Sequence, residues 1–285
     1  MNFTAKMPDF TNVGAGKTAY VDLLPTITGR QLDRIQLELG GTSFTRAHIT
    51  EWRFKLNNKV IRKGTGTNTN LVTLFNQVTN AAAYFTIDFL FRNFRTPQGV
   101  YVGAVDCGAG MGVNQCTLEV DISASATAPT LTGDVELSYS VDNPQERALR
   151  PLVLREEMAQ VGITGAGTWN IAANIPHFQP NGGGSVYRSI DLFASTSDIT
   201  AIRVKRNGID IIDQTVAKLQ ELQKATRSIQ SGLISVDFCT DNMVQGRVFD
   251  TTPASGVTNA EFSVTAAGAV NFTVITRELL PASAY

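Results

Sequence analysis

The sequence predicts an all-β chain with a few short helices, built as two β-sandwich or barrel domains in tandem. Three observations lead there. The first is an internal repeat. Ile49-Thr-Glu-Trp-Arg-Phe-Lys-Leu-Asn-Asn58 and Ile199-Thr-Ala-Ile-Arg-Val-Lys-Arg-Asn-Gly208 share Ile, Thr, Arg, Lys and Asn in register, 150 residues apart. Ile87-Asp88-Phe89 then matches Val236-Asp237-Phe238, and Leu118-Glu119-Val120 matches Phe262-Ser263-Val264. Val135, Leu137 and Tyr139 match Val270, Phe272 and Val274 in the same order. The second observation is period-two alternation of apolar and polar residues, which marks strands with one buried face. The third is turn punctuation at equivalent places, Asn57-Asn58 and Asn207-Gly208.

The elements follow in chain order. Residues 1–14 read as an N-terminal arm, with Phe3, Met7 and Phe10 as apolar anchors for contacts with neighbours. A first domain spans 15–143. Its strands carry Ile35, Leu37 and Leu39, then Trp52, Phe54 and Leu56, then Leu118, Val120 and Ile122, then Val135, Leu137 and Tyr139. A short helix follows Asn68-Thr69-Asn70, with Leu71, Leu74, Phe75 and Val78 on one stripe. Residues 144–185 read as a connector rich in Gly and Pro. It holds a helix near 151–161, started by Pro151, with Leu152, Met158 and Val161 inward, and it exposes Trp169. A second domain spans 186–280. Its clearest helix is capped by Asp213 and ends at Gly232, with Val216, Leu219, Leu222, Thr226 and Ile229 on one face. Residues 281–285 form a C-terminal tail ending in Tyr285.

Composition narrows the function. The chain has 285 residues, enough for two domains with cores of their own. It is 43% hydrophobic and only 17% charged, which fits a folded chain, with either a surface largely covered by other subunits or a soluble β protein rich in Thr, Ser and Asn. Net charge is −1, from 24 basic and 25 acidic residues, so the basic excess that coats nucleic acid is missing. Three cysteines, Cys107, Cys116 and Cys239, give no disulfide framework. The N-terminus has no apolar segment of a signal peptide, and no apolar run is long enough to span a bilayer.

No motif supports catalysis. Gly16-Lys17-Thr18 has the end of a phosphate loop, but Thr11 stands where its first glycine belongs. The two histidines, His48 and His177, fall in different repeats and cannot form a histidine metal set. Asp88 and Asp237 recur, and read first as polar residues on the outward face of a strand; the alternative is that they pair with a repeated Arg such as Arg53 or Arg203 or hold a cation. Catalytic, cofactor-binding and metal-ligating residues are therefore expected to be none.

Several stretches together carry a resemblance: Arg34-Ile-Gln-Leu-Glu-Leu39, Trp52-Arg-Phe-Lys-Leu-Asn-Asn-Lys-Val-Ile61, Tyr187-Arg-Ser-Ile-Asp-Leu192, Ile202-Arg-Val-Lys-Arg-Asn-Gly-Ile-Asp210 and Ser235-Val-Asp-Phe238. In order and duplication the chain resembles the double jelly-roll major capsid proteins of tailless icosahedral, membrane-containing bacteriophages of the corticovirus and finnlakevirus type. The resemblance implies two tandem eight-stranded jelly rolls and a structural, non-enzymatic role. It implies trimeric, pseudo-hexagonal capsomers that tile a shell over an internal membrane. Partners would be further copies of the chain, penton or minor capsid proteins and the inner membrane surface, without sequence-specific nucleic-acid binding. The protein would reside in the virion after assembly in the host cytoplasm. No cofactor is implied beyond a structural divalent cation such as calcium, with no site named. On this reading Phe3, Met7, Phe10, Trp169 and Tyr285 are interface residues. Two alternatives stay open: a receptor-binding or spike protein, and a glycan hydrolase on a tandem β-sandwich, which would need two convergent carboxylates.

Overall fold

A computed structural model describes residues 3–108, 112–139, 152–179, 184–243 and 248–281. The chain divides into two compact units, and the main division falls between Leu154 and Arg155. Each unit is a jelly roll of two antiparallel sheets, and their strand orders correspond one for one.

In the first unit one sheet runs β1 (Phe3–Lys6), β9 (Thr130–Tyr139), β3 (Arg30–Gly40), β6 (Tyr84–Asp88), with two-residue β7 (Val105–Asp106) also on β3. The other runs β2 (Thr18–Asp22), β8 (Cys116–Ile122), β4 (Ile49–Leu56), β5 (Lys59–Gly64). In the second unit the sheets run β10 (Leu152–Ile163), β18 (Val270–Pro281), β12 (Val186–Phe193), β15 (Ile234–Asp237), with β16 (Phe249–Asp250) on β12, and β11 (Gly167–Asn170), β17 (Ala260–Ala266), β13 (Ile199–Arg206), β14 (Ile209–Thr215). Each copy thus holds the eight expected strands and a short ninth.

Alternation builds the cores. From Trp52 onward in β4 and throughout β8 every second residue is buried, and Trp52, Phe54, Leu118 and Val120 meet Ile35, Leu37, Phe85 and Val135 of the facing sheet. Trp52 meets Phe85 edge-on at 6.4 Å, and its indole N–H donates to Thr69 Oγ1 at 2.8 Å. The second core repeats this with Ile202, Val204, Phe262 and Val264 against Ile190, Val236 and Val274.

The turns repeat too. Asn57 and Asn58 have φ of 47° and 64°, and Asn207 and Gly208 have 50° and 80°, the left-handed pair that a tight hairpin needs. Asn57 Oδ1 accepts the Asn114 and Gln115 amides, as Asn207 Oδ1 accepts those of Thr258 and Asn259.

Four short α-helices are described: α1 (Leu24–Ile27), α2 (Gly66–Phe75), α3 (Pro97–Val100) and α4 (Val216–Gln223). None is long and apolar enough to cross a membrane. α2 and α4 open alike, with Thr65 and Thr215 hydroxyls accepting the Asn68 and Lys218 amides. Gly66 allows α2 to start close under another segment, since a Cβ there would lie 2.1 Å from the Arg46 carbonyl oxygen.

The structure corrects four expectations. Residues 3–6 are not a free arm: β1 pairs with β9 and closes the first sheet. The segment 152–163 is strand β10, not a helix, and together with β11 it opens the second jelly roll rather than a connector. Glu156 is buried on β10, and this masks the alternation. Asp213 lies in β14, so Thr215 and not Asp213 caps α4, which ends at Gln223, well before Gly232. In α2 the buried positions are Val72 and Phe75, while Leu71 and Leu74 are only partly covered. The expected boundary at 143–144 and the tail with Tyr285 lie outside the described residues.

Candidate assembly surface

The described interface candidates differ in exposure. Met7 lies in the first core and is buried, so it is no free anchor. Phe3 and Phe10 pack against the same core, and the Phe3 ring lies 6.0 Å from Tyr139 with the Arg30 guanidinium 4.6 Å above it. Their order on β1 and after it spends them on folding. Of the described candidates Trp169 is the most open: it sits on edge strand β11, 38% exposed, with its indole N–H on the Gly165 carbonyl at 3.0 Å.

Ion pairs line the sheets of both units. On the outer face of β4 and β8, Arg53 binds Glu51, Glu119 and Asp121 at 2.7–2.8 Å, and Lys55 reaches Glu119. Burial pushes the Glu119 and Asp121 carboxyls up, but the hydrogen bonds and charge of Lys55 and Arg53 outweigh it and hold both below their ordinary value. On the other sheet Arg34 bridges Asp88 at 3.0 Å and Glu136 at 3.1 Å, all partly exposed. In the second unit the corresponding sheet carries buried ion pairs. Arg277 binds Glu156 at 2.7 Å and also Asp191, Arg155 binds Glu278, and Arg227 binds Asp237 at 2.7 Å. The recurring aspartates therefore pair with Arg34 and Arg227, not with Arg53 or Arg203. Arg203 instead binds Asp210 at 2.7 Å in the open.

The nucleophile candidates are withdrawn from chemistry. All three cysteines are buried, and burial pushes the Cys107 and Cys239 thiols up to about 12 and Cys116 up as well. His48 Nδ1 accepts the Thr45 amide at 3.1 Å in a cap. Lys17 lies in a turn, its amide on the Gly14 carbonyl, with Gly16 at φ 71°. Among the described residues no three His, Cys, Asp or Glu side chains group as metal ligands.

Exposed apolar side chains were missed by the sequence reading. Tyr20, Tyr84 and Tyr139 are open on the first unit, and Ile209, Ile211 and Leu222 on the second. Alternation hides them, because β14 alternates isoleucines on a face that the fold leaves uncovered.

Comparison with known proteins agrees with this architecture. Residues 4–138 match the viral coat protein P2 N-terminal domain, and residues 155–280 match the viral coat protein P2 C-terminal domain. The fold is similar to the major capsid protein P2 from bacteriophage PM2, at 16% identity and TM-score 0.81, over 98% of this chain and 97% of that one. It is similar to the STIV major capsid protein, at 12% identity and TM-score 0.67, over 99% of this chain and 97% of that one. The PBCV-1 virus capsid chain aligns at 12% identity and TM-score 0.59, over 98% and 93%. No curated protein sequence matches the chain.

Proposed function

Because the chain belongs to the viral coat protein P2 family, we propose that it is a major capsid protein. Its work is self-assembly into an icosahedral shell, and its place is the virion. The observation that carries this reading is the one-for-one strand order of the two units, from β1–β9 to β10–β18. A chain with two copies of one fold supplies six such folds when three chains associate. Six similar folds around one axis fit a hexagonal lattice while the symmetry stays threefold. The finer reading is therefore a trimeric, pseudo-hexagonal capsomer over an internal membrane, with penton or minor capsid proteins as further partners, assembled in the host cytoplasm. The role is structural rather than enzymatic, and the buried thiols support it. Calcium or another divalent cation would act at contacts between chains.

Native mass spectrometry at two concentrations tests the reading. The subunit is 30.7 kDa. A species of about three times that mass, growing to larger particles on concentration, is expected. A monomer at every concentration refutes it. Adding a chelator to assembled particles tests the cation, since release of subunits requires one.

A further inference from the structure

We propose that the β14–α4 face of the second unit is a docking surface for a second copy of this chain. The proposal rests on the coat-protein reading and gives it a location.

The two units supply an internal control. At the 150-residue offset, Ile61 of β5 corresponds to Ile211 of β14, and Val72 of α2 corresponds to Leu222 of α4. Ile61 and Val72 are 4% and 7% exposed, but Ile211 and Leu222 are 47% and 59% exposed. The same fold thus buries these positions once within the chain and leaves them open once. Ile209, 69% exposed, extends the open patch. These three are the exposed large aliphatic side chains of the described residues; the other exposed large apolar groups are Tyr20, Tyr84, Tyr139 and Trp169.

β14 is an edge strand reading Ile-Asp-Ile-Ile-Asp-Gln-Thr. Its counterpart β5 carries Lys59 and Lys63, lysines of the kind that keep an edge from pairing. β14 carries Asp210 and Asp213 instead, but its exposed Ile209 and Ile211 are a hazard unless another surface covers them.

Beside this edge lies a cavity of about 430 Å³, lined in part by Ile211, Ile212, Leu219, Leu222 and Phe238. Gln214 and Gln223 also line it, and the Oε1 atoms of both are buried with no hydrogen-bond partner among the described residues. The Gln223 amide nitrogen is already committed to the Ser235 carbonyl at 2.8 Å, which leaves its oxygen unmatched. Unpaired buried acceptors cost stability until a donor arrives. An occupant must therefore bring apolar surface and a hydrogen-bond donor together. A tyrosine does both, and this chain exposes three of them on its first unit. A coat protein is surrounded by copies of itself, so the chain carries both halves of the contact.

The test uses the full chain. The Ile211→Lys/Leu222→Lys double variant and a control, Thr200→Lys on exposed β13, are compared with the parent by sedimentation velocity. Circular dichroism checks folding. The expected result is that parent and control associate alike, while the folded double variant remains at subunit mass or needs at least about 100-fold more protein to associate. Association of the double variant at parental concentrations overturns the proposal and leaves the coat-protein reading intact. A parent that never associates overturns both. If the double variant does not fold, amide exchange of residues 209–215 in the parent decides: slower exchange in the assembled than in the dissociated protein supports the contact, and equal exchange overturns it.

Discussion

The first and second jelly rolls have the same bulge at the same place, and they fill it with opposite charges. In β3 the register slips between Leu32 and Arg34, and in β12 between Tyr187 and Ser189. The bulged residues are Asp33 and Arg188, both buried, and their carbonyls accept the equivalent amides of Phe89 and Phe238. Next to them the first unit places Arg34 opposite Glu136, where the second places Ser189 opposite Arg277. Backbone geometry survived the duplication, and charge did not. What had to be kept was hydrogen-bonded strand order; what could vary was the set of residues on each sheet's outer face.

This contrast can be broken at several points. The largest effect is expected from Arg277→Ala. It would take the Arg277 guanidinium away from buried Asp191 and Glu156, at a cost of about 3–5 kcal/mol in the second unit. The matching Arg34→Ala in the partly exposed network of the first unit should cost only about 1 kcal/mol. Urea denaturation followed by fragment-resolved hydrogen exchange measures both, and equal losses would erase the distinction.

Met7→Ala comes next, at about 2–4 kcal/mol, because it empties a core position. Deleting residues 1–10 should therefore destabilise the first unit itself, since β1 goes with it. A deletion with unchanged thermal stability of residues 15–139 would restore the free-arm view.

Smaller is the acid response of the Arg53 face. Glu119 and Asp121 are held below their ordinary values of 4.5 and 3.8. Their contribution is thus present above those values and is lost as pH falls through the lower folded ones. Arg53→Met should remove about 1 kcal/mol at pH 7 and little near pH 2, seen as a flatter plot of stability against pH.

The smallest effect has the opposite sign. Burial outweighs the Gln31 and Ser138 hydrogen bonds and raises the Asp33 carboxyl. Its contribution is full below its ordinary value of 3.8 and is lost as pH rises through the higher folded value. Asp33→Asn should raise the melting temperature slightly at pH 7 and leave it unchanged near pH 3. A drop at pH 7 would show that the charge serves the bulge.

Strands whose alternation is clean were legible in the sequence. Trp52-Arg-Phe-Lys-Leu and Leu118-Glu-Val-Asp-Ile announced both face and type, and the repeat placed their partners. β10 was hidden because Glu156 is as buried as its apolar neighbours, and the partner that makes this affordable, Arg277, lies 121 residues away. β1 was hidden by length, since four residues are too few to show a period. The free-anchor reading of Met7 met a related obstacle. Apolar side chains look alike in sequence whether they meet their own core or another chain, and only the fold separates Met7 from Ile211.

The pairing of first strand with last has a consequence during synthesis. Phe3 bonds opposite Leu137, so the first sheet cannot close until nearly half of the chain has been made. β10 likewise lies beside β18, which finishes at Pro281. The second unit thus cannot complete until residues 270–281 have been made. Such distant closures are slow. Until they occur β12 and β10 lack the strand that belongs between them, so the newly made chain, rather than the finished subunit, is the form most exposed to wrong pairing in a crowded cell.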